Sequence, residues 1–90
     1  MDISNETEWL EMVRAVKESD LADLDKVAQA FGWVTGSIIK HGEQQVELAR
    51  ALQDRDAVVK EQIKLGVMRH ARAVFNDCGR AVLGRKFWDE

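Results

Sequence analysis

The sequence predicts an all-α fold, a small helical bundle in which two or three shorter helices pack along one long C-terminal helix. Three observations lead to this prediction. The 90 residues contain no proline. Apolar residues recur at the 3.6-residue period of an α-helix. A content of 46% hydrophobic and 32% charged residues is typical of a folded chain and not of a disordered one. At this length we expect a single helical domain over residues 1–90.

The first predicted helix runs from about Glu6 to Lys17. Asn5 is a favourable N-cap residue, and Glu8 follows it three residues later, close to the spacing of a capping box. The apolar face of this helix is formed by Trp9, Val13 and Val16.

The second predicted helix begins near Leu21 and then meets three glycines within eleven residues, Gly32, Gly36 and Gly42. Each glycine costs a helix about 1 kcal/mol relative to alanine. Two alternatives follow. Either the chain turns near Gly32 and restarts a helix at Thr35, or the helix continues and its glycines allow another helix to approach closely. In both cases we expect the helix to end at Gly42.

The third predicted helix is the long one, from Glu43 to Cys78, about 50 Å in length and ended by Gly79. A projection at 100° per residue places two apolar stripes on it, and a helix that is apolar over so wide an arc needs two neighbours. The first stripe comprises Leu48, Leu52, Val59, Ile63, Val67 and Val74, and we expect the last five of these to be buried. The second stripe comprises Val46, Ala57, Met68 and Phe75. Truncation of Ile63 to alanine is expected to cost roughly 2–5 kcal/mol.

Asp56 and His70 interrupt the first stripe. They lie fourteen residues apart, which is about 21 Å along a helix axis, so they do not meet within one helix. In an antiparallel homodimer they approach each other. In the alternative, each is satisfied at the edge of the core by other helices or by water. A homodimer is also an expectation from size, since so small a domain buries too little surface to be very stable alone.

The residues indicate binding rather than catalysis. The serines have no base at a recognisable spacing, and there is no glycine-rich phosphate loop. His41, His70, Asp77 and Cys78 lack the spacing of metal ligands. We therefore expect no enzyme, no cofactor and no metal site. A single cysteine, the lack of a secretory signal and the lack of about 20 consecutive apolar residues favour a cytoplasmic protein without a membrane span.

Charge is distributed unevenly along the chain. Residues 1–25 carry eight acidic and two basic side chains, and residues 57–88 carry seven basic and two acidic ones. Either the two ends pack together, or the basic end meets an acidic partner. We predict a helical binding protein that regulates, inhibits or escorts a protein partner. The residues predicted to bind that partner are Arg69, Arg72, Arg80, Arg85, Lys86 and Trp88. In the alternative, the segment that carries Phe87 and Trp88 folds back and closes the end of the bundle.

Residues 24–42 resemble the helix-turn-helix of DNA-binding repressor domains. Ala28, Gly32, Trp33 and Ile38 stand at the spacings of the small, turn and core residues of that motif. His41 departs from the motif, and cations for phosphate contacts are few. The resemblance implies a small transcription regulator that dimerises through the long helix and reads the major groove. The DNA-contacting residues would then be Thr35, Gly36, Ser37, Ile39 and Lys40.

Overall fold

A computed structural model describes residues 6–89 as three α-helices. They are α1 (Glu6–Lys17), α2 (Asp23–Ala51) and α3 (Arg55–Leu83). Helices include 83% of the described residues, which contain no strand, so the all-α prediction is confirmed. The bounds predicted for the first helix are also confirmed, whereas Asn5, its predicted N-cap, lies outside the described residues.

The architecture is a hairpin of two long helices, α2 and α3, with the short helix α1 on one side. α2 and α3 have 29 residues each, are joined by residues 52–54 and pack against each other. α1 contacts α2 but, among the described residues, not α3. Trp9 of α1 lies against Trp33 of α2, with 5.8 Å between the ring centroids.

The predicted continuous helix from Glu43 to Cys78 is wrong, because the chain reverses direction at residues 52–54. α2 ends in a Schellman motif, in which Gln53 N–H donates to Arg50 O (3.0 Å) and Asp54 N–H donates to Ala49 O (2.9 Å). Gln53 adopts the left-handed conformation with φ of 57°. Asp54 then caps α3, its Oδ1 accepting a hydrogen bond from Ala57 N–H at 3.1 Å. Neither glycine nor proline marks this turn in the sequence. The helical spacing of apolar residues also continues across it, so the apolar pattern gives no sign that the helix stops.

Replacing Gln53 by glycine is expected to raise the free energy of unfolding by about 1 kcal/mol, since glycine adopts positive φ without the steric cost of a side chain. Urea denaturation measures the change. The matched control is Gln62→Gly, at an exposed position inside α3, which is expected to lose about 1 kcal/mol. Equal losses for the two variants would show that residue 53 does not adopt the left-handed conformation.

The predicted helix ends at Gly42 and Gly79 are also wrong, because both glycines lie inside helices. A Cβ atom at Gly42 would stand 2.7 Å from Leu65 Cδ2, so this glycine lets the Leu65 side chain reach the α2 backbone. The second alternative, a continuous helix whose glycines allow close helix contact, is the one that the structure shows. α3 ends at Leu83, and Gly84 caps it in the left-handed conformation with φ of 71°.

Burial along the predicted first stripe, most of which lies on α3, is the reverse of the expectation. The side chains predicted to be buried are exposed: Leu52 (70%), Val59 (54%), Ile63 (62%), Val67 (57%) and Val74 (46%). Leu48, Asp56 and His70 are exposed as well. The side of α3 that packs on α2 instead carries buried Leu65, Asn76 and Gly79, with half-buried Met68 and Phe75 from the second stripe.

This reversal arises because α3 has two apolar surfaces but, within the described residues, packs against only one other helix, α2. One of the two surfaces therefore stays exposed. α2 buries small residues, including Ala28, Gly42 and Ala49, and at Gly42 the Leu65 side chain of α3 reaches the α2 backbone. The expected loss of 2–5 kcal/mol for Ile63→Ala is therefore wrong for the single chain, because an exposed side chain leaves no cavity when it is removed. We refer to Val59, Ile63, Val67 and Val74 as the outer stripe.

Candidate protein-binding site

The segment after α3, residues 84–89, folds back onto the hairpin. The backbone N–H groups of Phe87 and Trp88 both donate to Asn76 Oδ1, at 2.7 and 3.0 Å. Asn76 Nδ2 donates in return to Trp88 O at 2.8 Å. The Asn76 side chain is buried, and these three hydrogen bonds tie it to the segment. The alternative in which the C-terminal segment closes the end of the bundle is therefore the one observed.

An aromatic cluster forms where this segment meets the two long helices. Phe75 lies at its centre, with ring centroids at 4.8 Å from Phe31, 5.1 Å from Phe87 and 5.4 Å from Trp88. These separations are favourable for aromatic pairs. Gly32 makes room for the indole, since a Cβ atom there would stand 2.5 Å from Trp88 Nε1. The tryptophan thus rests directly on the backbone of α2.

Arg72 joins α3, α2 and the C-terminal segment. Its guanidinium carbon lies 4.7 Å from the centroid of the Trp88 ring, a cation–π geometry. Its Nη1 donates to Gly32 O at 2.6 Å and to Thr35 Oγ1 at 2.7 Å. Thr35 is buried and its hydroxyl donates to Phe31 O at 2.7 Å. Arg72 therefore holds Trp88 in place over α2.

The other cations predicted to bind a partner each pair with a carboxylate of the same chain. Arg85 donates to both oxygens of Asp25, at 2.8 and 2.9 Å. This pair joins the acidic and basic ends of the chain, as one interpretation of the charge distribution predicted. The remaining pairs are Arg69–Glu43 at 3.0 Å, Arg80–Asp77 at 3.9 Å and Lys86–Asp89 at 3.9 Å. Exposed pairs of this kind add little stability.

Three of the six predicted binding residues, Arg72, Arg85 and Trp88, line one open groove of about 420 Å³. We call it the tail groove, because it lies between the start of α2 and the C-terminal segment. Its other lining residues include Leu21, Gln29 and Trp33, none of which was predicted for this role. The helix-turn-helix interpretation makes Trp33 a core residue. Because α2 is continuous, Trp33 instead lines the tail groove. Arg69, Arg80 and Lys86 are not among the lining residues.

The residues of the DNA-binding alternative lie in the middle of α2. The turn expected at Gly32 is absent, because α2 is continuous from Asp23 to Ala51. Thr35 does not cap a helix, since its side chain is buried and bonded to Arg72. Gly36, Ser37 and Ile39 are half-buried, and Lys40 is exposed. DNA binding itself stays a prediction.

Within residues 6–89, no group of three or more His, Cys, Asp or Glu side chains is placed to hold a metal ion. None of the three helices described is long and apolar enough to cross a membrane. Comparison of the chain with protein-family models, with curated proteins and with solved structures gives no match.

Proposed function

We propose that this chain is a non-enzymatic helical binding protein that recognises a protein partner through the tail groove and so regulates, inhibits or escorts that partner. The observation that carries the proposal is the convergence of Trp33, Trp88, Arg72 and Arg85 on one groove. Tryptophan and arginine dominate the residues that supply most of the energy in protein interfaces.

The groove is held in shape before any partner arrives. Asn76 fixes the backbone of Phe87 and Trp88, and Arg72 bonds to the α2 backbone at Gly32. A surface that is already ordered loses little conformational entropy on binding, which favours affinity. This rigidity supports recognition of a defined segment rather than non-specific adhesion.

The lining suggests what that segment carries. Leu21, Trp33 and Trp88 offer apolar surface, so we infer that an apolar side chain of the partner enters between them. The Arg85–Asp25 pair stands at the same groove and presents both signs of charge. Charges at the edge of an interface contribute to specificity and to the rate of association more than to affinity. The partner is thus a segment with an apolar anchor and polar or charged flanks.

The test compares two substitutions of exposed glutamines in α2. Gln29→Arg places a longer, charged side chain at the tail groove, whereas Gln44→Arg makes the same change outside it. Affinity capture from the host, with a nuclease-treated sample in parallel, supplies the partner, and titration with that purified partner measures the dissociation constant. We expect Gln29→Arg to weaken binding about tenfold or more and Gln44→Arg to bind like the wild type.

Equal binding by both variants would contradict the assignment to the tail groove. Capture that disappears after nuclease treatment, together with binding to DNA that weakens steeply with salt, would support the DNA-binding alternative instead.

We also propose that the protein works in the cytoplasm. Cys78 is exposed, and a lone accessible thiol suits a reducing compartment. Partners are therefore to be sought among cytoplasmic proteins.

A further inference from the structure

The outer stripe of α3 has no neighbour within the described chain. Val59, Ile63 and Val67 are each more than half exposed, because α3 packs on α2 through its other side and α1 contacts only α2. The exposed side chains of Val59, Ile63, Val67 and Val74 together present on the order of 400 Å², within the range of the largest apolar patch of a typical monomer. The largest apolar patch of a monomer is often a functional surface.

Between Asp56 and His70, apolar and ionisable residues follow the same order along this surface when it is read from either end. Counted from Ile63, valines stand four residues away on both sides, at Val59 and Val67. Asp56 and His70 stand seven residues away on the two sides. Val74 stands eleven residues away and has no counterpart on α3, which begins at Arg55. Residues at equal distances before and after a central position lie at mirrored angles on a helix. A second copy, turned by a half rotation about an axis beside Ile63, therefore meets apolar residues with apolar residues.

The two ionisable residues of this surface specify the direction of the second copy. In the antiparallel arrangement the carboxylate of Asp56 faces the imidazole of His70 in the second copy, at both ends of the contact. In the parallel arrangement Asp56 would face Asp56, and like charges at an interface are unfavourable. Both side chains are exposed in the single chain, and so are accessible for this contact.

We propose that the outer stripe is the interface of an antiparallel homodimer with its two-fold axis at Ile63. Ile63 then packs against Ile63, and Val59 against Val67 of the second copy, as an isologous interface requires. The tail groove stays open in this dimer. Arg72, which lines the groove, is nine residues from Ile63, and nine residues turn a helix by about 180° from the outer stripe.

The size of the surface sets the expected strength. A standard stable interface buries about 800 Å² per partner. The exposed residues of the outer stripe supply about half of that area, and flanking side chains of α3 add to it. We therefore expect a dissociation constant on the order of micromolar, at the weaker end of specific interfaces.

Sedimentation equilibrium of the full chain, from about 1 to 500 μM to bracket that constant, tests the dimer. Ile63→Glu brings two carboxylates together at the axis and is expected to give a monomer with unchanged helical circular dichroism, because residue 63 is exposed in the single chain. The matched control is Val82→Glu, at a position of α3 that is 77% exposed and outside the stripe, which should dimerise like the wild type. A wild type that is monomeric throughout, or an Ile63→Glu variant that still dimerises, would overturn the proposal.

Disulfide cross-linking tests the direction of the helices. Val59→Cys and Val67→Cys are each made with Cys78→Ser, so that every chain carries one thiol. Under mild oxidation the antiparallel dimer predicts a covalent dimer from the mixture of the two variants and none from either variant alone, since a disulfide needs Cβ atoms about 4 Å apart. Cross-linking of either variant by itself would show a parallel pair and refute the arrangement.

Discussion

Replacing Trp88 by alanine is expected to lower the free energy of unfolding by about 3 kcal/mol, a large share of the total stability of a domain of this size. The indole contacts Phe31 and Phe75 and covers the backbone at Gly32. The methyl group of alanine leaves the faces of Phe31 and Phe75 and the backbone at Gly32 uncovered. Arg72 also loses the aromatic ring over which its guanidinium lies. Urea denaturation, and a melting temperature lower by more than about 10 °C, would register the loss.

The control for this prediction is Val82→Ala, an exposed truncation on α3 that is expected to change stability by less than about 0.5 kcal/mol. If Trp88→Ala keeps the melting temperature of the wild type while partner binding falls, Trp88 is an exposed anchor and not part of the folded core. A variant that loses stability should also lose binding, because Trp88 forms one wall of the tail groove.

The helical class of this protein follows from its sequence, but the place of its main turn does not. The absence of proline and the sustained 3.6-residue period predict helices, and the structure has them. The reversal at residues 52–54 depends on Gln53 adopting a conformation that glycine would normally signal. The one feature of the sequence that could have indicated this turn is Asp54, because aspartate is a good N-cap residue. An aspartate within a helical pattern, however, is equally common as an exposed residue on the helix surface. The positive φ of Gln53 is determined by the packing of the two helices and not by the conformational preference of glutamine.

The candidate site was partly predictable for a similar reason. Composition pointed to the basic C-terminal residues, and Arg72, Arg85 and Trp88 do meet at one groove. The partners that fix them are distant in sequence: Arg85 pairs with Asp25, sixty residues away. Leu21 and Gln29 carry no pattern that distinguishes them from other residues of an amphipathic helix. Which side of α3 faces α2 was likewise undetermined, because both of its stripes are apolar and only the small residues of α2 select between them.

The two proposals combine into one arrangement. The outer stripe and the tail groove lie on different sides of α3, so a dimer carries two open grooves. Two linked sites bind a partner that has two matching segments far more tightly than one site does, provided that the geometry allows both to engage. Ile63→Glu would then weaken binding to such a partner without altering the groove itself, whereas a partner with one segment would bind the monomer and the dimer equally well.

Replacing Leu65 by alanine is expected to cost about 2–5 kcal/mol, the loss once predicted for Ile63. Leu65 is 5% exposed. Its Cδ2 atom packs so close to the α2 backbone that a Cβ atom added at Gly42 would lie only 2.7 Å from it. Truncation therefore opens a cavity between α2 and α3 that the backbone of a long helix does not readily close. Urea denaturation at a protein concentration about a hundredfold below the expected dissociation constant, where few chains are dimeric, measures the effect in the single chain.

Ile63→Ala, two residues along the same helix, is the matched control for Leu65→Ala. At low protein concentration it is expected to change the free energy of unfolding by less than about 0.5 kcal/mol, because residue 63 is exposed. At high concentration the loss should grow, since a dimer that binds only the folded chain adds stability by mass action. Leu65→Ala should show its full loss at both concentrations. A large loss for Ile63→Ala at low concentration, with a small one for Leu65→Ala, would mean that α3 faces α2 with the opposite side and that the outer stripe is the core of the hairpin.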